Sequence, residues 1–169
     1  MLRVLVRNVN TNIVMSAYFA NFYSLAKFGI IFWGIPTNLQ KVFIMQKRAL
    51  RIILQLGFRE SCRGFFKSKK MLTVVGIYIF ECIMYLKKHS NIFSEALTSH
   101  NHNTRKNNTS YNYPSHGLTK TEHSCFYSCI KLYNKLPSQL TNIHNLKDFK
   151  KKLFNYICDI EPYKLNDFL

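Results

Sequence analysis

Acidic residues are scarce in this chain: 8 Asp and Glu stand against 24 Lys and Arg, a formal net charge of +16, and no acid precedes Glu60. The only aspartates are Asp148, Asp159 and Asp167, never adjacent, which argues against two-metal phosphoryl transfer and against hydrolysis by paired carboxylates. Glycine is thin too, at 6 residues with no phosphate-cradling loop. Cysteine is present without a framework: Cys62, Cys82, Cys125, Cys129 and Cys158 make an odd set of 5 with no tight spacing. With no clear signal peptide, that usage predicts reduced thiols in an intracellular setting, nucleus or cytoplasm. A long uninterrupted apolar run is also missing. Residues 13–35 carry one charge, Lys27, over a length able to cross a bilayer, but Ser16, Asn21 and Ser24 break the run as well.

What is there is apolar and aromatic enough to fold. Hydrophobic residues make up 47% of the 169, too many for compositional disorder, and the length suits one domain, or one domain with a tail. The basic field favours a polyanion, nucleic acid or an anionic membrane surface. Phe19, Phe22, Ala26, Ile30 and Trp33 recur at helical spacing, so a buried amphipathic helix explains residues 13–33 as well as a membrane anchor does, with a break at Gly29.

The densest pattern lies in residues 18–57. On a wheel of about 100° per residue, Leu39, Val42, Phe43, Gln46, Ala49, Leu50, Ile53 and Leu54 share one face, with Lys41, Arg48 and Arg51 opposite. Thr37 and Gln40 have capping-box spacing, Pro36 closes the preceding segment and Gly57 offers a stop, so a helix is predicted over 38–56, paired antiparallel with the one before it. Residues 58–70 then form a basic loop with Phe65 and Phe66 among its cations; the rings fit base stacking or, preferably, the core.

Thr73 is the expected cap of a helix running to about Lys88, apolar on almost every face and therefore central. Residues 98–117 lack aliphatics and read as an exposed polar loop. Residues 121–136 predict a short helix with Phe126, Ile130 and Tyr133 on one stripe, and Asn145 caps a last helix over 146–160 whose core face is Leu146, Phe149, Leu153, Ile157 and Ile160. Residues 1–12 are basic and slightly strand-like. The expected architecture is all-α, an irregular bundle of about five helices. Its segments are an N-terminal extension (1–12), a helical region (13–97), the polar loop (98–117) and a C-terminal helical region (118–169).

The runs FGIIFWG (28–34), LQKVFIMQKRALRII (39–53), ESCRGFFKSKKMLTV (60–74), IYIFEC (77–82), HNTR (102–105), IKLYNKLP (130–137), LKDFKKKL (146–153) and the final YKLNDFL occur in one order. In that order they resemble the thumb and post-thumb region of insect-type, jockey-like non-LTR retrotransposon reverse transcriptases. The resemblance covers most of the chain from Tyr18 onward, whereas residues 1–12 match it poorly. It implies a C-terminal piece separated from its palm and fingers, without the catalytic aspartate pair, needing no cofactor and binding RNA or an RNA–DNA hybrid while other domains catalyse. The implied contacts are electrostatic and sequence-blind: Lys41, Lys47, Arg48, Arg51, Arg59, Arg63, Lys67, Lys69, Lys70, and Arg105 with Lys106 in the polar loop. A small basic membrane-associated protein held by residues 13–35, and a genomic remnant without function, are the alternatives.

Zinc is the remaining chemistry to weigh. His100, His102, His116, His123, Cys125 and Cys129 fall close together, but their spacing matches no finger or knuckle, and cysteines at i and i+4 fit core packing better; no metal site is expected.

Overall fold

The computed structural model describes residues 2–93, 111–115 and 117–169, and among these every regular element is helical. In chain order these are α1 (Leu2–Asn8), α2 (Thr11–Tyr18), a π turn (Phe19–Tyr23), α3 (Ser24–Lys27), α4 (Ile30–Trp33), α5 (Pro36–Ile53) and α6 (Phe65–Ser68). There follow α7 (Val74–Lys88), a 3₁₀ turn (Thr119–His123), α8 (Cys125–Tyr133), α9 (Ser138–Thr141), α10 (Leu146–Ile160) and a closing 3₁₀ turn (Leu165–Asp167). The all-α class is as predicted. The count of about five is loose, because α2, α5, α7, α8 and α10 are joined by several shorter helical pieces.

The centre is α7. Thr73 caps it, its Oγ1 accepting the Gly76 N–H at 2.9 Å while donating to the Pro162 carbonyl at 2.6 Å. Eleven of its fifteen residues are buried, and α3, α4, α5, α8 and α10 all pack on it. The β-branched start at Val74 and Val75 is helical from the first residue, since Gln46 Oε1 accepts the Val74 N–H at 2.8 Å. In α10 the expected cap also forms, with Asn145 Oδ1 accepting from Lys147 N at 2.9 Å. Phe149, Leu153 and Ile157 of its predicted stripe are buried; Leu146 is 39% exposed and Ile160 half-buried, because the stripe drifts off the core at both ends.

Other expectations need correction. Residues 2–8 are helical, not strand-like, because Leu2, Leu5, Val6 and Val9 lay one stripe against the core and α1 packs on α2 and α5. The Thr37/Gln40 capping box does not form: Pro36 is the first residue of α5 and Ile35 its cap, a position where the missing proline N–H costs nothing. The helix closes not at Gly57 but at Gln55, which takes φ 54° while Leu56 N–H reaches back to Arg51 O at 2.9 Å. The segment preceding α5 is not one helix along it. Gly29 breaks it as expected, at φ 60°, but a π turn also interrupts it, and α3 and α4 turn against α7, leaving α2 on α5. Gly34 makes that corner possible, since a Cβ there would sit 2.3 Å from Tyr78 Cδ2 and 2.4 Å from the Ile30 carbonyl oxygen.

Most of the polar segment 98–117 lies outside the described residues; at its described end Asn112, Tyr113, Ser115 and Gly117 are exposed as expected, and Tyr111 is the exception. Tyr111 is buried and exchanges two bonds with the Asn134 amide, at 2.9 and 2.7 Å. The helix expected over 121–136 divides into the 3₁₀ turn and α8, with Ser124 as cap and Ile130 and Tyr133 buried from its stripe.

One buried side chain joins three of these elements. Gln46 of α5 is 0% exposed; its Nε2 donates to Tyr18 Oη of α2 and to Leu72 O, both at 2.9 Å, and its Oε1 takes the first N–H of α7. Replacing it with alanine (Gln46→Ala) strands three buried polar groups, so urea unfolding should report a loss of about 3 kcal/mol. Burial also raises the tyrosine hydroxyl of Tyr18 from 10.0 to about 12, that of Tyr133 to about 12, and the Cys158 thiol from 9.0 to about 11. Above its ordinary value each group ionises in the unfolded chain while staying protonated in the fold, so stability falls as pH climbs from about 9 to about 12. Thermal melts near pH 8 and near pH 11 should show this, and Tyr18→Phe should flatten the part above pH 10.

Candidate nucleic-acid interface

The polar face of α5 does not stand alone. Because α1 packs beside it, Arg3 and Arg7 come to the same side as Lys47, Arg48 and Arg51, around a groove of about 1030 Å³. Val6, Ile44, Ile52, Gln55, Leu56 and Phe58 complete the lining, and no acidic residue contributes to it. Five cations facing one concavity make a strongly positive site, since a groove with low-dielectric walls focuses the field of its charges. Glu60, beside the groove's Arg51, is held in place: its carboxylate accepts the Gly57 N–H at 2.9 Å while its backbone carbonyl takes Arg51 Nε–H at 2.9 Å.

Three of the predicted contact residues, Lys47, Arg48 and Arg51, are therefore brought together. Lys41 is exposed on α5 about 10 Å further toward its N-terminus, two turns from Arg48 and outside the groove. The loop cations behave differently. Arg63 lies over the Tyr163 ring at 5.0 Å, and Lys67 pairs with Asp159 of α10 at 3.0 Å. Arg59, Lys69 and Lys70 are exposed without lining the groove. Arg105 and Lys106 lie outside the described residues.

The aromatic expectations sort by the same test. Phe66 is 0% exposed and Phe65 half-buried, so both rings belong to the core. Phe66 stands 6.1 Å from Phe43 and 6.4 Å from Tyr163, and Lys47 Nζ sits 4.7 Å over the Phe43 ring. Phe58, at the mouth of the groove, is 85% exposed. Sequence reasoning missed Arg3, Arg7 and Phe58. The i, i+4 spacing of the two arginines was the available signal for the first pair.

The zinc reading gathers little. Cys129 is buried and its Sγ lies 3.9 Å from Cys125 Sγ; that contact and burial push the Cys125 thiol well above its ordinary value, while at Cys129 the same contact lowers it but Cys82 and burial outweigh it and push it up. His100, His102 and His116 fall outside the described residues, among which no three His, Cys, Asp or Glu side chains are grouped to hold a metal. Among the described residues, no helix is long and apolar enough to cross a membrane.

No family model, curated protein or solved structure matches the chain.

Arg63 is exposed yet holds a ring contact on Tyr163. Arg63→Ala should lower stability by about 1 kcal/mol through loss of the ring contact, whereas Lys69→Ala should stay within about 0.5 kcal/mol, both measured by chemical denaturation.

Proposed function

We propose that this chain binds nucleic acid through the groove between α1 and α5, electrostatically and without reading sequence. The observation that carries the reading is the convergence of Arg3, Arg7, Lys47, Arg48 and Arg51 on an acid-free concavity. Arginine suits phosphate because its planar fork offers paired donors, and four of the five cations are arginines. The motif order supports a narrower identity, the catalytically inactive C-terminal part of a non-LTR retrotransposon reverse transcriptase, holding template and product while palm and fingers perform the chemistry. In that reading the chain alone incorporates no nucleotide, because Asp148, Asp159 and Asp167 are far apart in sequence and two are engaged elsewhere. Asp159 pairs with Lys67, and Asp167 Oδ2 accepts the N–H groups of Tyr163 and Lys164 at 2.8 and 2.9 Å.

A second reading has one observation behind it. At the corner between α3 and α4, Leu25, Phe28 and Phe32 are 74%, 84% and 75% exposed; Lys88 lies beside Phe32, and so does Lys27, which is paired with Glu81 at 3.1 Å. An apolar corner flanked by cations suits the interface of an anionic bilayer. Co-sedimentation with phosphatidylserine vesicles, lost in Phe28→Ser/Phe32→Ser but kept in Arg48→Ala/Arg51→Ala, is the result this reading requires.

For the first reading, titrating an RNA–DNA hybrid by fluorescence anisotropy should give an affinity that falls by about 500-fold between 50 and 200 mM salt, as expected for about five phosphate contacts. Arg48→Ala/Arg51→Ala should weaken binding and flatten the salt slope by about 1 to 2, whereas Lys69→Ala/Lys70→Ala should leave the slope nearly unchanged. Salt-independent affinity, or equal effects of the two double variants, removes the groove from the account.

A further inference from the structure

Among the described residues Phe58 is, with Phe28, the most exposed of the large apolar side chains, at 85%, and the chain around it is tied down. Gly57 N–H donates to the Glu60 carboxylate at 2.9 Å, Glu60 N–H donates to Gly57 O at 3.1 Å, and Arg51 Nε–H holds Glu60 O at 2.9 Å. Upstream, the Leu56 N–H closes the end of α5 on Arg51 O at 2.9 Å. The ring is thus presented to water by a turn whose bonds bracket it on both sides, with the Lys47, Arg48 and Arg51 row on one side of the groove and Arg3 and Arg7 on the other. Water is a poor neighbour for a phenyl ring, and a planar apolar partner of a polyanion would remove that cost.

We infer that the groove takes single-stranded nucleic acid, with an unstacked base lying on Phe58 while the flanking phosphates meet the cations. The inference rests on the nucleic-acid reading of the groove and narrows it. A duplex keeps its bases stacked on one another and offers this ring only sugar and phosphate, whereas a single strand can turn a base out onto it. Because every base has a flat apolar face, the contact discriminates strandedness and not sequence.

The test compares a fluorescein-labelled single-stranded 12-mer with the corresponding duplex at one salt concentration, using the full chain. Phe58→Ala should weaken the single strand about 10-fold and leave the duplex within about twofold. Phe58→Trp should restore it, and Phe58→Leu, apolar but not planar, should not. A 2-aminopurine placed in the strand should change fluorescence on binding the native chain and not Phe58→Ala. Thermal melts establish that each variant is folded, which an exposed position should allow. Equal loss for single strand and duplex, full rescue by leucine, or no change with alanine overturns the stacking. If alanine at 58 has no effect while Arg48→Ala/Arg51→Ala still weakens binding, stacking falls and the groove stands; if neither has an effect, both fall.

Discussion

The Gln46 amide sets where everything else goes. Both of its N–H bonds and its oxygen are engaged at a position closed to solvent, which ties α5 to α2 through Tyr18 and to the start of α7 through Leu72 and Val74. A buried amide with partners on two neighbouring elements tolerates neither rotation of its helix nor a slip by one residue, because either strands donors and acceptors that are costly to leave unmade. Residues 46 and 48 are about 200° apart on a helix, so locking Gln46 inward turns Arg48 outward. Thr73 extends the same polar cluster, capping α7 and holding Pro162 at the far end of the chain. Core register and cationic face are therefore one constraint seen from two sides.

The groove needs a second wall, and that wall is of a different kind. α1 has no fully buried residue and is held only by partly buried Leu2, Leu5, Val6 and Val9. A helix of 7 residues is marginal by itself, so its docking on α5 is what keeps it helical. It brings Arg3 and Arg7 toward three cations of α5, a repulsion that weak docking has to overcome. An anion between the walls removes that repulsion, so the wall that is least secured in the free chain is also the one that gains most from a bound phosphate. The salt that screens the ligand screens the wall's repulsion too, which couples the order of α1 to the occupancy of the groove.

Legibility followed burial. The helices α7 and α10 and their caps at Thr73 and Asn145 could be read from the chain because apolar periodicity and capping chemistry agree there. Gln46 was visible as a core-face position, although nothing local said which groups it would satisfy. At α5, Pro36 outcompeted Thr37 for the start and Gln55 outcompeted Gly57 for the left-handed residue, since tertiary packing decided the last turn and propensity did not. The site was legible by half: Lys47, Arg48 and Arg51 lie on one helix and can be placed from spacing. Arg3 and Arg7 reach it through a packing contact between segments far apart in sequence, and no local pattern encodes that. Of the aromatics, Phe65 and Phe66 were rightly assigned to the core, whereas the outward Phe58 was missed, because its exposure is set by the path of the turn after α5 and by no local pattern.

The few acids explain why the positive field stays concentrated. Glu60 closes the turn after α5, Glu81 pairs with Lys27 at 3.1 Å, and Asp159 pairs with Lys67. Glu161, at the end of α10, accepts the Gly64 N–H on both carboxylate oxygens at 3.0 and 2.9 Å, and Asp167 closes the final turn. Each of these carboxylates holds backbone or a cation next to a loop or helix end, where its charge also offsets local repulsion. None of them lines the groove, where an acid would compete with phosphate for the same guanidinium donors. With these five carboxylates engaged elsewhere, the groove between α1 and α5 is left unneutralised, and it also carries the outward-facing ring.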